Sequence, residues 1–536
     1  MTRPAIDGAP PAAGLAAPGR RDARRSASLL SSRAGSTVLA AVVLVLAAFG
    51  FRAIGLTTSF ELWVDEMLYA ELGASVARGE LPNLPNGPFF LHPPGFFIIE
   101  AAAIHLFGIA GDSMALVFQL RWVNAFCGAL SVGLIFLILR RPVGAPAALV
   151  AGLLAVFEPF VLRNNSRVFL ETSAVLAVLI GLVLVVDHLA TAAATPGWRG
   201  RLRLVAAGLA MGYGVFSKDV LFVCTVAPVV LAVLWRRTLP LREASLLVGT
   251  TVVPYGAYLT VLVFAGELDG WFTAKSQGAQ RMFGFIQATG FNAPDSPSLV
   301  DRILAQLGSF GTSYVLLFVC PVAGVVAALS TRADRRFLGL VAVTTGLFGV
   351  YSAAFGTFEE QYGYPVMIAG ILAAAVSAVE LVERFPRTRR TTAVACLVFT
   401  AAAAALGVRA EATADDGFLR VRDWTQADLP AQARVGVTNS TGELAFGDDP
   451  RFGVWPSLPD LAENGASYIL TQSLPTSLGY GYALPELLPW LAANARPMIA
   501  VTGPTNGVTT LWYIDQDALK AGAAARVGFP ANEREQ

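Results

Sequence analysis

Two adjacent acids stand out in an apolar segment near the N-terminus. Asp65 and Glu66 lie in ELWVDEMLYA, residues 61–70, shortly after the first long apolar run. A carboxylate held in such surroundings is a candidate general base. Neighbouring residues of a helix point about 100° apart, so the two acids cannot both face one ligand atom. We expect one to act and the other to support it or bind; the alternative is a solvated start to an interfacial helix.

Further polar groups lie at the ends of later apolar runs. LHPPG, residues 91–95, holds His92 beside a diproline whose fixed φ keeps the preceding backbone extended. RNNSRVFLE supplies Arg163, Arg167 and Glu171 at four-residue spacing, which is one face of a helix that begins early. The alternatives are that His92 faces water at a helix entry and that Arg167 pairs with Glu171 at a helix terminus.

Two more turns carry polar side chains. Lys218-Asp219 lies between GLAMGYGVF and VLFVCTVAPVV, and a lysine at the mouth of two helices suits a phosphate. GTFEEQYGYP adds acidic, amide and aromatic groups of the kind that bind sugar hydroxyls: Glu359, Glu360, Gln361, Tyr362 and Tyr364. A plain turn outside the membrane is the alternative reading of this last segment.

The composition is that of a polytopic membrane protein. Of 536 residues, 55% are hydrophobic and 14% charged, whereas about 25% are charged in soluble domains. The net charge of +1 gives no reason to expect a nucleic-acid partner. The four cysteines lie in apolar runs, which indicates small core residues rather than a disulfide framework. Three histidines are too few for a multi-histidine metal site.

Segments of about 20 apolar residues predict the membrane spans. We predict about eleven transmembrane helices, at 37–56, 115–139, 142–162, 171–190, 203–217, 220–235, 244–265, 309–329, 337–356, 362–382 and 391–408. The segment 94–111 is shorter and carries Glu100 and His105, so we expect it to be interfacial or re-entrant.

The positions of the arginines predict the orientation. If the N-terminus is cytoplasmic and 94–111 does not cross, all five strongly basic turns fall inside: 140–141, 198–203, 235–242, 331–336 and 383–390. The polar segments then share the outer side: 57–114, 163–171, 217–219, 266–308, 356–362 and the chain after about 408. We expect a multi-pass protein of the plasma, or inner, membrane.

The composition also predicts the domain organisation. Residues 1–34 read as a disordered cytoplasmic tail, and 35–408 as the transmembrane domain, with 57–114 as its first outer loop. Residues 409–520 read as a small extracytoplasmic α/β domain, followed by a frayed tail at 521–536. Its predicted strands are 433–439, 466–472 and 507–515, and PELLPWLAANA is a predicted helix between the last two.

Together these groups predict a carboxylate base, cations for a phosphate and aromatic walls on one side of the membrane. That constellation fits transfer of a sugar from a lipid-linked phosphate. The main alternative is a transporter or flippase, which would place its charges near the midplane and often show repeats. A non-catalytic scaffold is a further alternative.

The sequence resembles integral membrane glycosyltransferases of the GT-C fold, the superfamily of protein O-mannosyltransferases and of aminoarabinose transferases that modify lipid A. The resemblance covers roughly residues 37–408. It is carried by Asp65-Glu66 with Tyr69-Ala70, by His92-Pro93-Pro94, and by SRVFLET and GLAMGYGVFSK, which ends at Lys218.

The resemblance implies a polyprenyl-phosphate-linked sugar as donor and inversion at the anomeric carbon. Asp65 would be the catalytic base, while Lys218 with Arg163 or Arg167 would neutralise the phosphate. The other expected sugar or acceptor contacts are Glu66, Tyr69, His92, Glu171, Asp219, Glu360, Gln361 and Tyr362. No cofactor is required, although a divalent metal held by oxygen ligands is conceivable, with Asp65 and Glu171 as candidates.

Two departures from the family bear on the acceptor. His92-Pro93-Pro94 stands where the aminoarabinose branch has Lys-Pro-Pro, and the large soluble insertion of eukaryotic mannosyltransferases is missing. The acceptor therefore stays open among a protein, a lipid and a cell-wall glycan.

Overall fold

The computed structural model describes residues 20–84, 87–191, 197–286, 298–357, 359–478 and 481–528. Residues 1–19 of the predicted tail and residues 529–536 of the predicted frayed end lie outside this described part. Helix α1 begins at Arg20, so it includes the remainder of the segment predicted as a disordered tail.

Helices make up almost all of the described chain as far as residue 411. They are α1 (Arg20–Arg52), α2 (Val64–Ala77), α3 (Gly95–Phe107), α4 (Ser113–Leu139), α5 (Ala145–Phe157), α6 (Pro159–Asn165), α7 (Leu170–Thr191), α8 (Trp198–Ser217), α9 (Phe222–Leu234), α10 (Leu241–Thr251), α11 (Val253–Ala265), α12 (Leu268–Met282), α13 (Leu299–Ala328), α14 (Ala333–Ala354), α15 (Gly363–Arg384) and α16 (Arg389–Glu411). Between α2 and α3, β1 (Asn83–Leu84) pairs with β2 (Gly87–Pro88) in an antiparallel ladder.

Helices occupy all eleven places where spans were predicted. Within the described residues, eight stretches are long and apolar enough to cross a membrane, and a ninth if α5 and α6, bent by 61°, form one span. The other two do not meet these criteria: α8 has three arginines among its first six residues, and the helical stretch Asp219–Leu234 is short. The length and composition of the helices thus support eight or nine full spans.

Helix α3 lies in the segment that was predicted not to cross. It has 13 residues, which at 1.5 Å per residue is about 20 Å and shorter than the roughly 30 Å hydrocarbon core. It begins directly after the diproline, and it ends at Gly108, whose φ of 62° is the left-handed conformation common at helix ends. The diproline therefore sets where α3 starts.

The turns that were predicted to be basic and cytoplasmic meet at one end of the helix bundle. Arg335 forms ion pairs with Glu380 (2.9 Å) and Glu383 (2.6 Å), and its Nε donates to the carbonyl of Pro142 (2.7 Å). Arg336 Nε donates to Thr238 Oγ1 at 2.6 Å. Contacts among four turns hold this end together.

The periphery of the bundle is apolar and unpartnered in the protein. Only 17% of the membrane-spanning stretch of α1 and 11% of that of α16 is buried inside the protein, against 67% for α4. Leu46 and Val398 are among the large exposed side chains of these outer helices. Lipid is the solvent that such surfaces match.

A mixed five-stranded sheet forms the C-terminal domain, in the order β4-β3-β5-β7-β6. Its strands are β3 (Val435–Val437), β4 (Phe452–Gly453), β5 (Tyr468–Gln472), β6 (Ala495–Gly503) and β7 (Gly507–Ile514). Its helices are α17 (Gly417–Ala427), α18 (Ser440–Ala445), α19 (Leu458–Glu463), α20 (Ser473–Ser477), α21 (Leu487–Asn494) and α22 (Gln516–Ala524). β3 runs parallel to β4 and β5, whereas β7 is antiparallel to β5 and β6.

The α/β character of this domain was predicted correctly, and its three predicted strands correspond to β3, β5 and β7. Strand β6 was not predicted; its burial pattern does not alternate, and its first residue follows α21 directly. Helix α22 continues into the segment predicted as a frayed tail.

One hydrophobic core joins the C-terminal domain to the first loop of the membrane domain. Phe418 and Val421 of α17 and Leu511 of β7 belong to the same buried cluster as Met67 of α2 and Phe97 of α3. The backbone N–H of Asp415 also donates to the carbonyl of Thr58 at 3.0 Å. The C-terminal domain is therefore packed against the segment that carries Asp65.

Candidate active site

Asp65 lies in the first turn of α2, where the helix dipole favours a negative charge. Its carboxylate is half-buried and accepts a hydrogen bond from Gln361 Nε2. Burial raises the pKa of Asp65 to about 6; Lys218 opposes this rise, while Glu171 and Glu359 add to it. A partly exposed carboxyl with this pKa is suited to accept a proton near neutral pH.

Gln361 connects Asp65 to Lys218. While its amide nitrogen donates to Asp65, its Oε1 accepts a hydrogen bond from Lys218 Nζ at 3.4 Å. The ring of the next residue, Tyr362, has its centroid 5.8 Å from the same Nζ, within cation–π range. The turn between α14 and α15 therefore holds the candidate base and the candidate phosphate ligand in one arrangement.

Lys218 ends α8 and forms a buried ion pair with Glu171 at the start of α7, with 2.7 Å between Nζ and Oε1. Burial alone would lower the pKa of Lys218, but Glu171 and the other nearby acidic groups raise it above the ordinary value. The lysine therefore stays protonated in a poorly solvated position, where a cation attracts a phosphate strongly.

A second lysine lies beside this pair and was missed by the sequence analysis. Lys275 of α12 donates to the carbonyl of Leu91 at 2.8 Å and pairs with Asp219. Asp219 was predicted as a substrate contact, and the structure instead places it against this lysine. The signal that could have found Lys275 was the rarity of lysine, since it is one of three in the chain.

His92 borders the same cations and is neutral. Its ring packs edge-on against Tyr69 and Phe89, with centroids 5.9 Å apart in each case. Burial, and after it Lys218 and Lys275, holds the pKa of His92 well below its usual value. Its Nδ1 is buried without a hydrogen-bond partner among the described residues. His92 therefore offers an uncharged polar group beside the two lysines.

Tyr69 forms part of the aromatic wall below Asp65. The ring is 3% exposed and packs against His92, Phe96 and Phe97 at centroid distances of 5.9 to 6.2 Å. Burial, and after it the charge of Asp65, raises the pKa of its hydroxyl well above the ordinary value. Tyr69 is therefore a neutral wall residue.

Glu66 does not face a ligand, which corrects its assignment as a sugar or acceptor contact. The side chain is fully buried against Arg121, with Nε–Oε1 and Nη2–Oε2 distances of 2.9 and 2.8 Å. The backbone N–H groups of Val168 (2.9 Å) and Trp63 (3.3 Å) also donate to its carboxylate. Glu66 thus fixes the start of α2. Arg121, which the sequence analysis missed, is a single arginine in the apolar run of α4.

Arg163 and Arg167 meet a further carboxylate that the sequence analysis passed over, Glu61. Arg163 pairs with Glu61 at 3.0 Å and with Glu360 at 2.8 Å, while Arg167 also pairs with Glu61. Burial alone would raise the pKa of Glu61, but Arg167 and Arg163 hold it well below the ordinary value. Glu61 stands four residues before Asp65 in the same ELWVDEM stretch.

Arg167 is 1% exposed, and its guanidinium lies 5.8 to 5.9 Å from three ring centroids. The rings belong to Phe60, Trp63 and Phe169. This burial corrects the expectation that Arg167 binds the donor phosphate, because the side chain is enclosed by aromatic rings and Glu61. Arg163 and Glu360, predicted for phosphate and sugar contacts, are paired with each other.

Two clefts border residues that adjoin the candidate site. An apolar groove of about 400 Å³ is lined by Pro94, Ile98, Tyr213, Phe216, Pro254 and Tyr258 among others, and Phe216 is two residues from Lys218 in the chain. A much smaller cavity of about 40 Å³ reaches Arg163 and Glu360 between α6, α13 and α15. The groove thus adjoins Lys218 in the chain, and the cavity reaches the residue before Gln361.

A metal-ligand cluster is absent from the part of the chain that the structure describes, where no three His, Cys, Asp or Glu side chains are placed to hold an ion. Glu171, one of the two candidates, engages Lys218. The possible divalent metal stays a prediction.

Comparison with known proteins agrees with this architecture. Residues 110–268 match the family model of dolichyl-phosphate-mannose-protein mannosyltransferases. No curated protein sequence matches the chain.

Solved structures share the fold over most of the chain. ArnT from Cupriavidus metallidurans, bound to undecaprenyl phosphate, is 17% identical with a TM-score of 0.53; the match covers 90% of this chain and 98% of that one. The oligosaccharyltransferase of Archaeoglobus fulgidus in its apo form is 13% identical with a TM-score of 0.51, covering 90% of this chain and 74% of that one. The partial family match and the shared GT-C fold together indicate a membrane glycosyltransferase.

Proposed function

We propose that this protein transfers a sugar from a polyprenyl-phosphate-linked donor to an acceptor hydroxyl, with inversion at the anomeric carbon. The observation that carries the proposal is the arrangement of Asp65, Gln361 and Lys218, in which one amide contacts a proton-accepting carboxylate and a buried cation. Neither a nucleotide nor a protein nucleophile is needed.

The reaction would be a single displacement. The Asp65 carboxylate takes the proton of the acceptor hydroxyl as the acceptor oxygen forms a bond to the anomeric carbon. The bond between that carbon and the phosphate oxygen breaks, and polyprenyl phosphate leaves with the electron pair. Lys218 compensates the charge that grows on the leaving phosphate, and a dry, preorganised site strengthens this effect. Arg163 is less available, since Glu61 and Glu360 already neutralise it.

The apolar groove supports a lipid-borne donor. Its lining runs from Tyr258 and Pro254 of α11 to Phe216, close to Lys218, so a polyprenyl chain in the groove would bring its phosphate to the lysine. The similar ArnT structure contains undecaprenyl phosphate. The identity of the acceptor among protein, lipid and cell-wall glycan is open.

We further propose that the N-terminus is cytoplasmic and that the site and the C-terminal domain face outward from the plasma membrane. The supporting observation is that the basic turns gather at the opposite end of the bundle from Asp65 and Lys218, joined by contacts such as Arg332 Nη2 to the carbonyl of Arg141 (3.2 Å). Charges concentrated at one end also favour an enzyme over a transporter with a midplane site.

The direct test uses purified protein and a panel of labelled polyprenyl-phosphate sugars, with consumption of each donor followed over time. We expect one donor to be consumed by the wild type and not by Asp65→Asn. Asp269→Asn, at an exposed position on α12, is the matched control and should keep wild-type rates. Equal donor consumption by Asp65→Asn and Asp269→Asn would refute Asp65 as the base.

A further inference from the structure

The turn between β6 and β7 extends from the C-terminal sheet to the first loop of the membrane domain. The backbone N–H groups of Thr505 and Asn506 donate to Asp415 Oδ2 at 2.8 and 3.2 Å, and the Thr505 hydroxyl donates to the same oxygen. Asp415 is 3% exposed and is itself tied to Thr58 through its backbone N–H. The turn is therefore fixed at the base of the loop that leads to Asp65.

A second buried carboxylate, that of Glu61, lies three residues after Thr58 in the same loop. Glu61 and Asp415 are both buried and close enough for the charge of Glu61 to raise the pKa of Asp415, in addition to the larger effect of burial. The hydroxyl of Thr505 and two backbone N–H groups donate to Asp415, while Arg163 and Arg167 pair with Glu61, so each of these two neighbouring buried acids has its own donors.

From Glu61 a continuous series of contacts leads to the proposed base. Glu61 pairs with Arg163, Arg163 pairs with Glu360, and the next residue, Gln361, donates to Asp65. Displacement of the Glu61 carboxylate would release Arg163 and with it the segment that orients Asp65 and Lys218. No residue of the C-terminal domain needs to touch substrate for this effect.

We propose that Thr505 is a positioning residue: it holds Asp415, which is bound to Thr58, and so the C-terminal domain fixes the segment that carries Glu61 and keeps Gln361 in contact with Asp65. The C-terminal sheet is then a structural part of the active site rather than an appended binding module. The inference deepens the proposed function and rests on it for its catalytic consequence, whereas its structural consequence can be measured without any substrate.

The structural test is hydrogen exchange of the full-length protein in detergent, comparing Thr505→Val with Thr502→Val. Thr502 is an exposed threonine of β6, three residues before Thr505, so the control makes the same chemical change on a side chain at the surface. We expect amides of residues 57–67 to exchange about tenfold faster in Thr505→Val than in the control. Equal protection of this segment in the two variants would overturn the proposal.

The catalytic test measures kcat and KM separately for the same two variants and for Thr505→Ser. Thr505→Val should lower kcat about tenfold, equivalent to about 1.4 kcal/mol in the barrier, and serine should restore it because it keeps the hydroxyl. A purely structural role for the turn would instead lower the amount of folded protein and leave kcat per folded molecule unchanged, which would contradict the proposal.

A further variant tests the inference if Thr505→Val does not fold. An added Cβ at Gly503 would collide with the Asp415 carboxylate, so Gly503→Ala perturbs the same contacts from the backbone side. We expect it to expose residues 57–67 in the same way, and normal protection would count against the inference. If the wild type transfers no sugar, the proposed function fails while the exchange data still decide the role of Thr505.

Discussion

Asp65→Asn is the most informative substitution because it removes the proton-accepting group and keeps its shape. The asparagine Oδ1 can still accept the hydrogen bond that Gln361 Nε2 donates to Asp65 in the wild type. The surrounding contacts should therefore survive. Loss of a general base costs roughly 10²- to 10⁴-fold in rate, or about 3 to 5 kcal/mol in the barrier.

The same substitution should stabilise the folded protein at neutral pH. The pKa of Asp65 is raised from 3.8 to about 6, chiefly by burial, so the fold favours the protonated form. The protonated carboxyl therefore makes its full contribution to the free energy of unfolding below about pH 4, and this contribution is lost as the pH rises through about 6. At pH 7.5 the cost of the charge is at most about 3 kcal/mol, from about 2 pKa units at 1.36 kcal/mol each, less the share screened by solvent.

The assay follows initial rates of sugar transfer from a labelled donor between pH 5 and 9, and Tm at pH 4 and pH 7.5. For the wild type, kcat/KM should fall about tenfold per pH unit below about pH 6, because the base is then protonated. Asp65→Asn should show a higher Tm than the wild type at pH 7.5 and an equal Tm at pH 4. A rate within a few-fold of the wild type, or a lower Tm at pH 7.5, would refute the reasoning.

Three other substitutions or labels test the remaining contacts. Lys218→Gln should raise the KM for donor more than it lowers kcat, and an unchanged donor affinity in a binding titration would exclude the phosphate role. Arg121→Met should lower stability by about 3 to 5 kcal/mol because Glu66 is left buried without its partner; a melting curve checks this, and the double variant Arg121→Met/Glu66→Gln should recover most of the loss. In a cysteine-free background, a membrane-impermeant thiol reagent added outside should label Glu463→Cys and not Thr331→Cys, both exposed positions, and the reverse pattern would invert the proposed orientation.

Much of the fold was predictable because apolar length and helix ends are local properties. Each of the eleven predicted spans corresponds to a helix, and α3 is as short as its segment indicated. What could not be read locally was that α5 and α6 are bent by 61°. A bend of this kind depends on packing against the rest of the bundle.

The sequence predicted which residues form the site better than it predicted what each of them does. Asp65, Lys218, Glu171 and Gln361 were all singled out, and the structure brings them together from four separate helices or turns. Glu66 and Arg167 were predicted to contact ligands because a charge next to an apolar run is costly and therefore indicates a functional position. The sequence cannot show that such a charge is already satisfied by Arg121 or Glu61, since these partners are distant in the chain.

By itself, the sequence determined that the chain is a membrane protein, roughly where its apolar helices lie, and which residue types could carry the chemistry, because these follow from local composition and spacing. Only the tertiary structure decided which carboxylate is accessible and which is neutralised. Burial and the distance to a partner decide which carboxylate is free to react. Asp65 remains half-buried with a raised pKa, whereas Glu61 and Glu66, in the same ten residues, form ion pairs with arginines from α4, α6 and the turn before α7.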